Sequence, residues 1–244
     1  TIRSILNLAR KDAGEVKIFG LHADEHEQEI KDRIGIVMDD GYFYNDLSMK
    51  DMKSIIAPAY SKWSDDDYQS YMRKFGLDPK QKISTLSSGM KLKFALVLAL
   101  SHQAELLIMD EPTRGLDPFV RSDFLEIIRA YMKNGGKGVL FSTHITSDLD
   151  KIADMLIFID EGTIIFQQNK DDLLDNYRIV KGNTALLNDQ NKKFIKNLKV
   201  SSYGFAGITD CVAEVKKELP DVLLEKARIE DIMLAYIGGD KDDC

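Results

Sequence analysis

Cysteine is nearly missing: Cys211 and Cys244 are the only two in 244 residues. That is too few for a disulfide framework, and no CxxC or mixed Cys/His spacing offers a zinc site, which suits a reducing compartment. Proline is scarce as well, at 5 residues, while apolar residues make up 44% and charged ones 30%. This is globular composition, so intrinsic disorder is excluded for most of the chain. No run approaches the roughly 18–20 apolar residues that span a bilayer, and the opening Thr1-Ile2-Arg3 lacks a signal-peptide pattern. The chain reads as cytoplasmic, with any membrane link running through a partner. Positive charge is in deficit, 33 basic residues against 40 acidic ones for a net charge of −7. No global field draws nucleic acid, and no nucleic-acid partner is expected.

What is present is an alternation of apolar runs and helical patterns. The length fits one large domain, or a main domain with an appendage. Ile2, Ile5, Leu6, Leu8 and Ala9 fall near helical spacing, so the chain opens inside a helix with nothing to start it. Gly14 to Gly20 reads as a short strand between turns, Arg33 to Val37 as another, and Gly41 to Leu47 as an aromatic loop. Ser48 to Phe75 is helical in pattern, with Ser64 and Asp67 placed as a capping box.

Gly89 to Leu100 is an apolar helix, and Leu106 to Met109 a continuous apolar run that stops at Asp110-Glu111-Pro112, the profile of a buried parallel strand. Asp117-Pro118 starts the next helix, with Asp as cap and Pro at the first position, and Asn134-Gly135-Gly136 stops it. A second buried strand, Gly138 to Ser142, ends in Thr143-His144, and Ser147 with Asp150 can cap the helix after it. Met155 to Asp160 and Thr163 to Phe166 flank Glu161-Gly162 as a hairpin. Such alternation predicts a layered α/β sheet whose ligands sit beyond the C-terminal strand ends, where Asp110, Glu111 and His144 fall. After about residue 170 shorter, more polar elements predict a small α+β appendage.

An apolar strand ending in Asp-Glu suits a nucleotide hydrolase. The first carboxylate can hold the water shell of Mg²⁺ and the second can polarise an attacking water. The competing reading is a pair of exposed carboxylates on a loop. Leu86-Ser87-Ser88-Gly89-Met90 stands at a helix start, where free N–H groups and the helix dipole favour phosphate, although an N-capping serine explains the same letters. His22 and His26 have the spacing of a two-histidine metal site, yet the acids around them favour an exposed acidic turn.

Taken in order, Leu86 to Met90, Leu106 to Glu111, Gly115-Leu116-Asp117 and Thr143-His144 resemble the ATP-binding subunits of ATP-binding-cassette (ABC) transporters, over about residues 1–166. The resemblance implies an α/β, P-loop NTPase-like layered sheet with a helical subdomain and a C-terminal α+β appendage. It partitions the chain into 1–45 and 86–170 as ATPase core, 46–85 as helical subdomain and 171–244 as accessory lobe. Leu86 to Met90 takes the place of the signature loop, with Ser88 for its first glycine and Met90 for its glutamine, so Ser87, Ser88 and Gly89 would meet ATP bound on a second subunit. Asp110 corresponds to the Mg²⁺-water ligand of the Walker B strand, Glu111 to the catalytic base, Asp117 to the D-loop and His144 to the switch histidine. Asp39 takes the place of the Q-loop glutamine and could approach Mg²⁺.

The implied cofactors are ATP and Mg²⁺. The implied partners are an integral-membrane transporter subunit and a second nucleotide-binding subunit, identical or homologous. The helical subdomain would receive that membrane subunit; Tyr60, Trp63, Tyr68 and Tyr71 could line the groove, but aromatics at helical spacing favour core. The Gly41 to Tyr44 region and the C-terminal lobe resemble exporter-type cassettes.

No Gly-x-x-x-x-Gly-Lys-[Ser/Thr] loop occurs in the sequence, and Thr1 to Leu6 resembles the helix that follows that loop in the family. The expectation is an N-terminally truncated ATPase whose 244 residues alone hydrolyse little ATP. Two alternatives stay open: a non-hydrolysing regulatory subunit, and a soluble cassette-type interaction module.

Overall fold

The computed structural model describes residues 1–38, 43–133 and 135–237, and divides into two compact units, 1–144 and 145–244. Expectations that fall on Asp39 and on Gly41-Tyr42 lie outside the described residues.

The first unit is built on three parallel strands, β3 (Ile34–Met38), β4 (Leu106–Asp110) and β5 (Gly138–Ser142), in the order β3-β4-β5. They follow a helix α1 (Ile2–Ile5), a two-residue strand pair β1 (Lys17–Ile18) and β2 (Leu21–His22), and α2 (Glu27–Asp32). Leu107, Ile108 and Met109 are fully buried, as an all-apolar strand in a covered parallel sheet must be. Leu6, Ile18, Ala23 and Ile30 pack with Ile34 and Ile108 in one apolar cluster.

Helix α5 (Ser88–Ser101) also packs on the sheet: a Cβ added at Gly35 of β3 would lie 2.6 Å from that of Ala99. Seven of the eight side chains from Leu92 to Ala99 are buried, Lys93 being the exception, so most of α5 lies inside the unit. Its Phe94, Val97 and Leu98 pack with Met49 and Met52 of α3 (Met49–Ile56) and Tyr68 and Met72 of α4 (Asp65–Lys74). Full burial of side chains this size stabilises by about 1.5–3 kcal/mol each. This helical arm is tied to α2 through Asp32, whose carboxylate accepts the backbone N–H and the hydroxyl of Ser61, and to the end of α5 through Ser64 N–H, which donates to Ser101 O at 2.8 Å. Helix α6 (Pro118–Met132) connects β4 to β5.

The second unit opens with α7 (Thr146–Ile152) and the hairpin of β6 (Met155–Asp160) and β7 (Thr163–Asn169). Glu161 and Gly162, both at positive φ (46° and 79°), make the turn that a two-residue hairpin requires. After α8 (Lys170–Asn176) come β8 (Arg178–Gly182), α9 (Asp189–Lys192), β9 (Lys196–Ser201), β10 (Gly204–Thr209), α10 (Val212–Glu218), β11 (Leu223–Lys226) and α11 (Ile229–Ile237). The four strands form an antiparallel sheet in the order β11-β8-β10-β9.

Several expectations need correction. The first helix stops at Ile5 instead of running to Ala9, and Asn7 at φ 56° has left helical geometry. The Gly14 to Gly20 strand is shorter and turns at Phe19-Gly20 into β2. Helix α7 starts at Thr146 after Ile145, with no side-chain cap, so Ser147 and Asp150 lie within it rather than at its edge. Ser64 accepts the Asp67 N–H at 3.1 Å as expected, but the complete capping box is one arm helix earlier, between Ser48 and Asp51.

Candidate active site

The C-terminal edge of the parallel sheet gathers three of the expected residues. Strand β4 delivers Asp110 at its end, level with Met38 on one side and Ser142 on the other. Its Oδ1 accepts the Ser142 hydroxyl at 2.5 Å, and Oδ2 receives no protein hydrogen bond among the described residues. Glu111 leaves the strand at φ 48°, a left-handed conformation that costs a non-glycine residue about 1 kcal/mol or more. Two bonds hold it there: its N–H donates to Ser142 O at 3.0 Å and its carbonyl accepts the Arg114 N–H at 3.1 Å. Strain of this kind is retained where the surroundings over-determine it, commonly at active sites.

The Glu111 side chain is 27% exposed, but its Oε2 is shielded from water and lacks an aligned hydrogen-bond donor. His144 Nδ1 lies 2.7 Å from that oxygen, close enough for an ion pair when protonated yet not aligned as a hydrogen bond. The rest of the imidazole faces solvent, with the side chain 65% exposed. A shielded carboxylate oxygen without a donor is expensive to leave unmade. It fits a site whose remaining partner is a hydrogen-bond donor such as a water.

The second group of expected residues sits on two helix starts. Ser87 caps α5, its Oγ accepting the Met90 N–H at 3.3 Å; Ser88 and Gly89 are the first helical residues. Asp117 caps α6, its Oδ1 accepting the N–H groups of Phe119 (3.0 Å) and Val120 (3.1 Å), with Pro118 at the first helical position. Gly89 and Val120 touch, which places the two starts side by side. Ser87, Ser88 and Asp117 are exposed. No hydrogen bond or ion pair joins Ser87, Ser88 or Gly89 to Asp110, Glu111 or His144 among the described residues.

Tyr68 is buried, Trp63 and Tyr71 pack against the arm core, and Tyr60 stacks on His102, so the aromatic set is largely internal. His22 and His26 face Glu15 and Glu29 at 3.5 and 3.6 Å. Sequence reasoning missed Ser142; the available signal was a lone hydroxyl ending an otherwise apolar strand, at the level where the neighbouring strand ends in Asp110.

A family model described as "AAA domain, putative AbiEii toxin, Type IV TA system" matches residues 4–149. The bacitracin transport ATP-binding protein BcrA of Bacillus licheniformis is 30% identical over 80% of this chain and 64% of its own length. The lantibiotic transport ATP-binding protein SrtF of Streptococcus pyogenes is 30% identical over 70% of this chain and 74% of its own. The chain belongs to the ATP-binding proteins of ABC transporters. A solved structure titled as the ATP-binding subunit of an ABC transporter superposes with a TM-score of 0.64 at 26% identity, covering 71% of this chain and 74% of that one. The α/β fold of this ABC protein is therefore that of the P-loop NTPases. The chain spans about half to two thirds of the length of the first relatives, 54%, 64% and 56%. Among the described residues no helix is long and apolar enough to cross a membrane.

Proposed function

We propose that this ABC protein is the ATP-hydrolysing motor subunit of an exporter. The observation that carries the proposal is the Asp110-Glu111-His144 group, with a shielded, unpartnered Glu111 oxygen 2.7 Å from His144 Nδ1. The residues present fit a Mg²⁺-bound nucleotide: among the described residues, Asp110 Oδ2 receives no protein donor and Glu111 Oε2 lacks an aligned one. A bound Mg²⁺ would supply positive charge to offset that of the nucleotide phosphates. Asp110 would hold its water shell, with Asp39 as a further oxygen ligand.

Two subunits close head to tail on two ATP molecules. Each site combines Asp110, Glu111 and His144 of one subunit with Ser87, Ser88, Gly89 and Asp117 of the other. The N–H groups at the start of α5 and the Ser87 hydroxyl would face the γ-phosphate, where the helix dipole favours negative charge. Glu111 orients a water in line with the γ-phosphorus and accepts its proton as the new P–O bond forms and the bond to ADP breaks. His144 holds the Glu111 carboxylate and donates to the γ-phosphate. Closure moves a membrane subunit docked on the helical arm, residues 46–85, and product release resets it. The protein thus works at the inner face of the membrane through its partner, with residues 171–244 as an accessory lobe. The names of BcrA and SrtF, both transport proteins, support transport over a soluble role.

Affinity purification of the full-length gene product tests the partner. Recovery of a hydrophobic integral-membrane subunit in stoichiometric amount is expected; recovery with ribosomes or nucleic acid and without such a subunit would replace transport by a soluble interaction role.

A further inference from the structure

Strand β5 is apolar from Val139 to Phe141 and changes character at Ser142, which the register places directly beside Asp110. The strand is half-buried along its whole length rather than buried as its sequence suggested, so a hydroxyl is tolerated at its end, and what distinguishes Ser142 is its contacts. Ser142 makes two contacts with the active-site pair. Its hydroxyl donates to Asp110 Oδ1 at 2.5 Å, and its carbonyl accepts the Glu111 N–H at 3.0 Å.

We infer that Ser142 is a positioning residue for hydrolysis, fixing the metal-side and water-side carboxylates from one point on β5. The inference rests on the proposed ATPase. A carboxylate at a strand end can rotate about χ1 and χ2; a short, charge-assisted bond to one oxygen holds the rotamer and leaves the other oxygen for the metal's water. The carbonyl contact does the same for the backbone of Glu111, whose left-handed φ of 48° would otherwise relax. Two residues further along, His144 reaches Glu111 Oε2. The segment leaving β5 therefore grips both carboxylates, through Ser142 at their backbone and Oδ1 and through His144 at the reacting oxygen. Partners of this kind behind a metal ligand typically set about 10–100-fold of metal affinity or activity.

The test uses the full-length gene product and four forms of residue 142: wild type, Ser142→Ala, and the near-isosteric pair Ser142→Thr and Ser142→Val. Mn²⁺ bound with ATP is read by electron paramagnetic resonance, ATP affinity is measured separately in EDTA, and turnover is measured with Mg²⁺. The expected result is an affinity for Mn²⁺ and a turnover at least about tenfold lower in the Ala and Val forms, near wild type in the Thr form, with metal-free ATP affinity unchanged throughout. A merely structural serine would shift stability and leave the Mn²⁺ affinity where it was. Because Thr and Val share a shape, their comparison stands even where Ser142→Ala folds poorly. Equal Mn²⁺ affinity and turnover in the Thr and Val forms would overturn the role of Ser142 alone. A wild-type protein that neither binds Mn²⁺ with ATP nor hydrolyses it would remove the proposed ATPase and this inference together.

Discussion

The rings of Tyr60 and His102 stack with centroids 3.8 Å apart and planes 12° from parallel. The contact joins the helical arm to the C-terminal end of α5, beside the Asp32–Ser61 bonds that tie the arm to α2. His102 is 2% exposed, and burial pushes its imidazole down to about 4, against the weaker opposing pull of Asp32. The neutral ring is thus the form the fold accepts.

A window of acid sensitivity follows. The folded value lies below the unfolded one of about 6.5, so the unfolded chain takes up the proton first as pH falls. The contribution is whole above about pH 6.5 and is lost on descending to about 4, to the extent of about 3 kcal/mol. Carboxylates held low, such as Asp32 by the Ser61 hydroxyl and Glu105 by Arg33, act in a lower window, below their ordinary range. Denaturant unfolding at pH 7 and pH 5 should show about 2 kcal/mol of this loss in the wild type and a much smaller one in His102→Phe, which keeps the stack and cannot titrate. An equal loss in both proteins would place the acid sensitivity elsewhere.

Gly89 gives a packing prediction. A Cβ at this position would stand 2.7 Å from Val120 Cγ1, closer than side-chain carbons approach. Overpacking of this kind costs about 1–3 kcal/mol, against a gain of up to about 1 kcal/mol for replacing glycine with alanine in a helix. Gly89→Ala is therefore expected to lose stability by about 1 kcal/mol, and Val120→Ala in the same chain to restore it. Additive effects in the double-mutant cycle would show that the two helix starts do not constrain each other.

Much of this was legible in the sequence because local chemistry changed abruptly at the right places. Leu106 to Met109 had the profile of a buried strand, and charge beginning at Asp110 marked its end. Asp117-Pro118 announced a helix start and Glu161-Gly162 a hairpin, since few residues suit those backbone geometries. What stayed hidden depends on residues distant in the chain. Ser142 acquires its partners only once β4 and β5 are in parallel register, and the Tyr60–His102 stack only once the arm folds back on α5. The short helices α8 and α9 carry too few turns for a periodic signal. The first helix failed for a related reason: apolar spacing continued to Ala9, but the backbone left the helix at Asn7.

The most direct test of the account is the rate of ATP hydrolysis by the full-length chain carrying Glu111→Gln, measured beside its affinity for ATP. Removing the proton acceptor while keeping the side chain's shape should lower turnover by about a hundredfold or more, the usual contribution of a positioned base, with nucleotide binding retained. Turnover equal to wild type would contradict the assignment of Glu111, and with it the reading of the Asp110-Glu111-His144 group as the centre of hydrolysis.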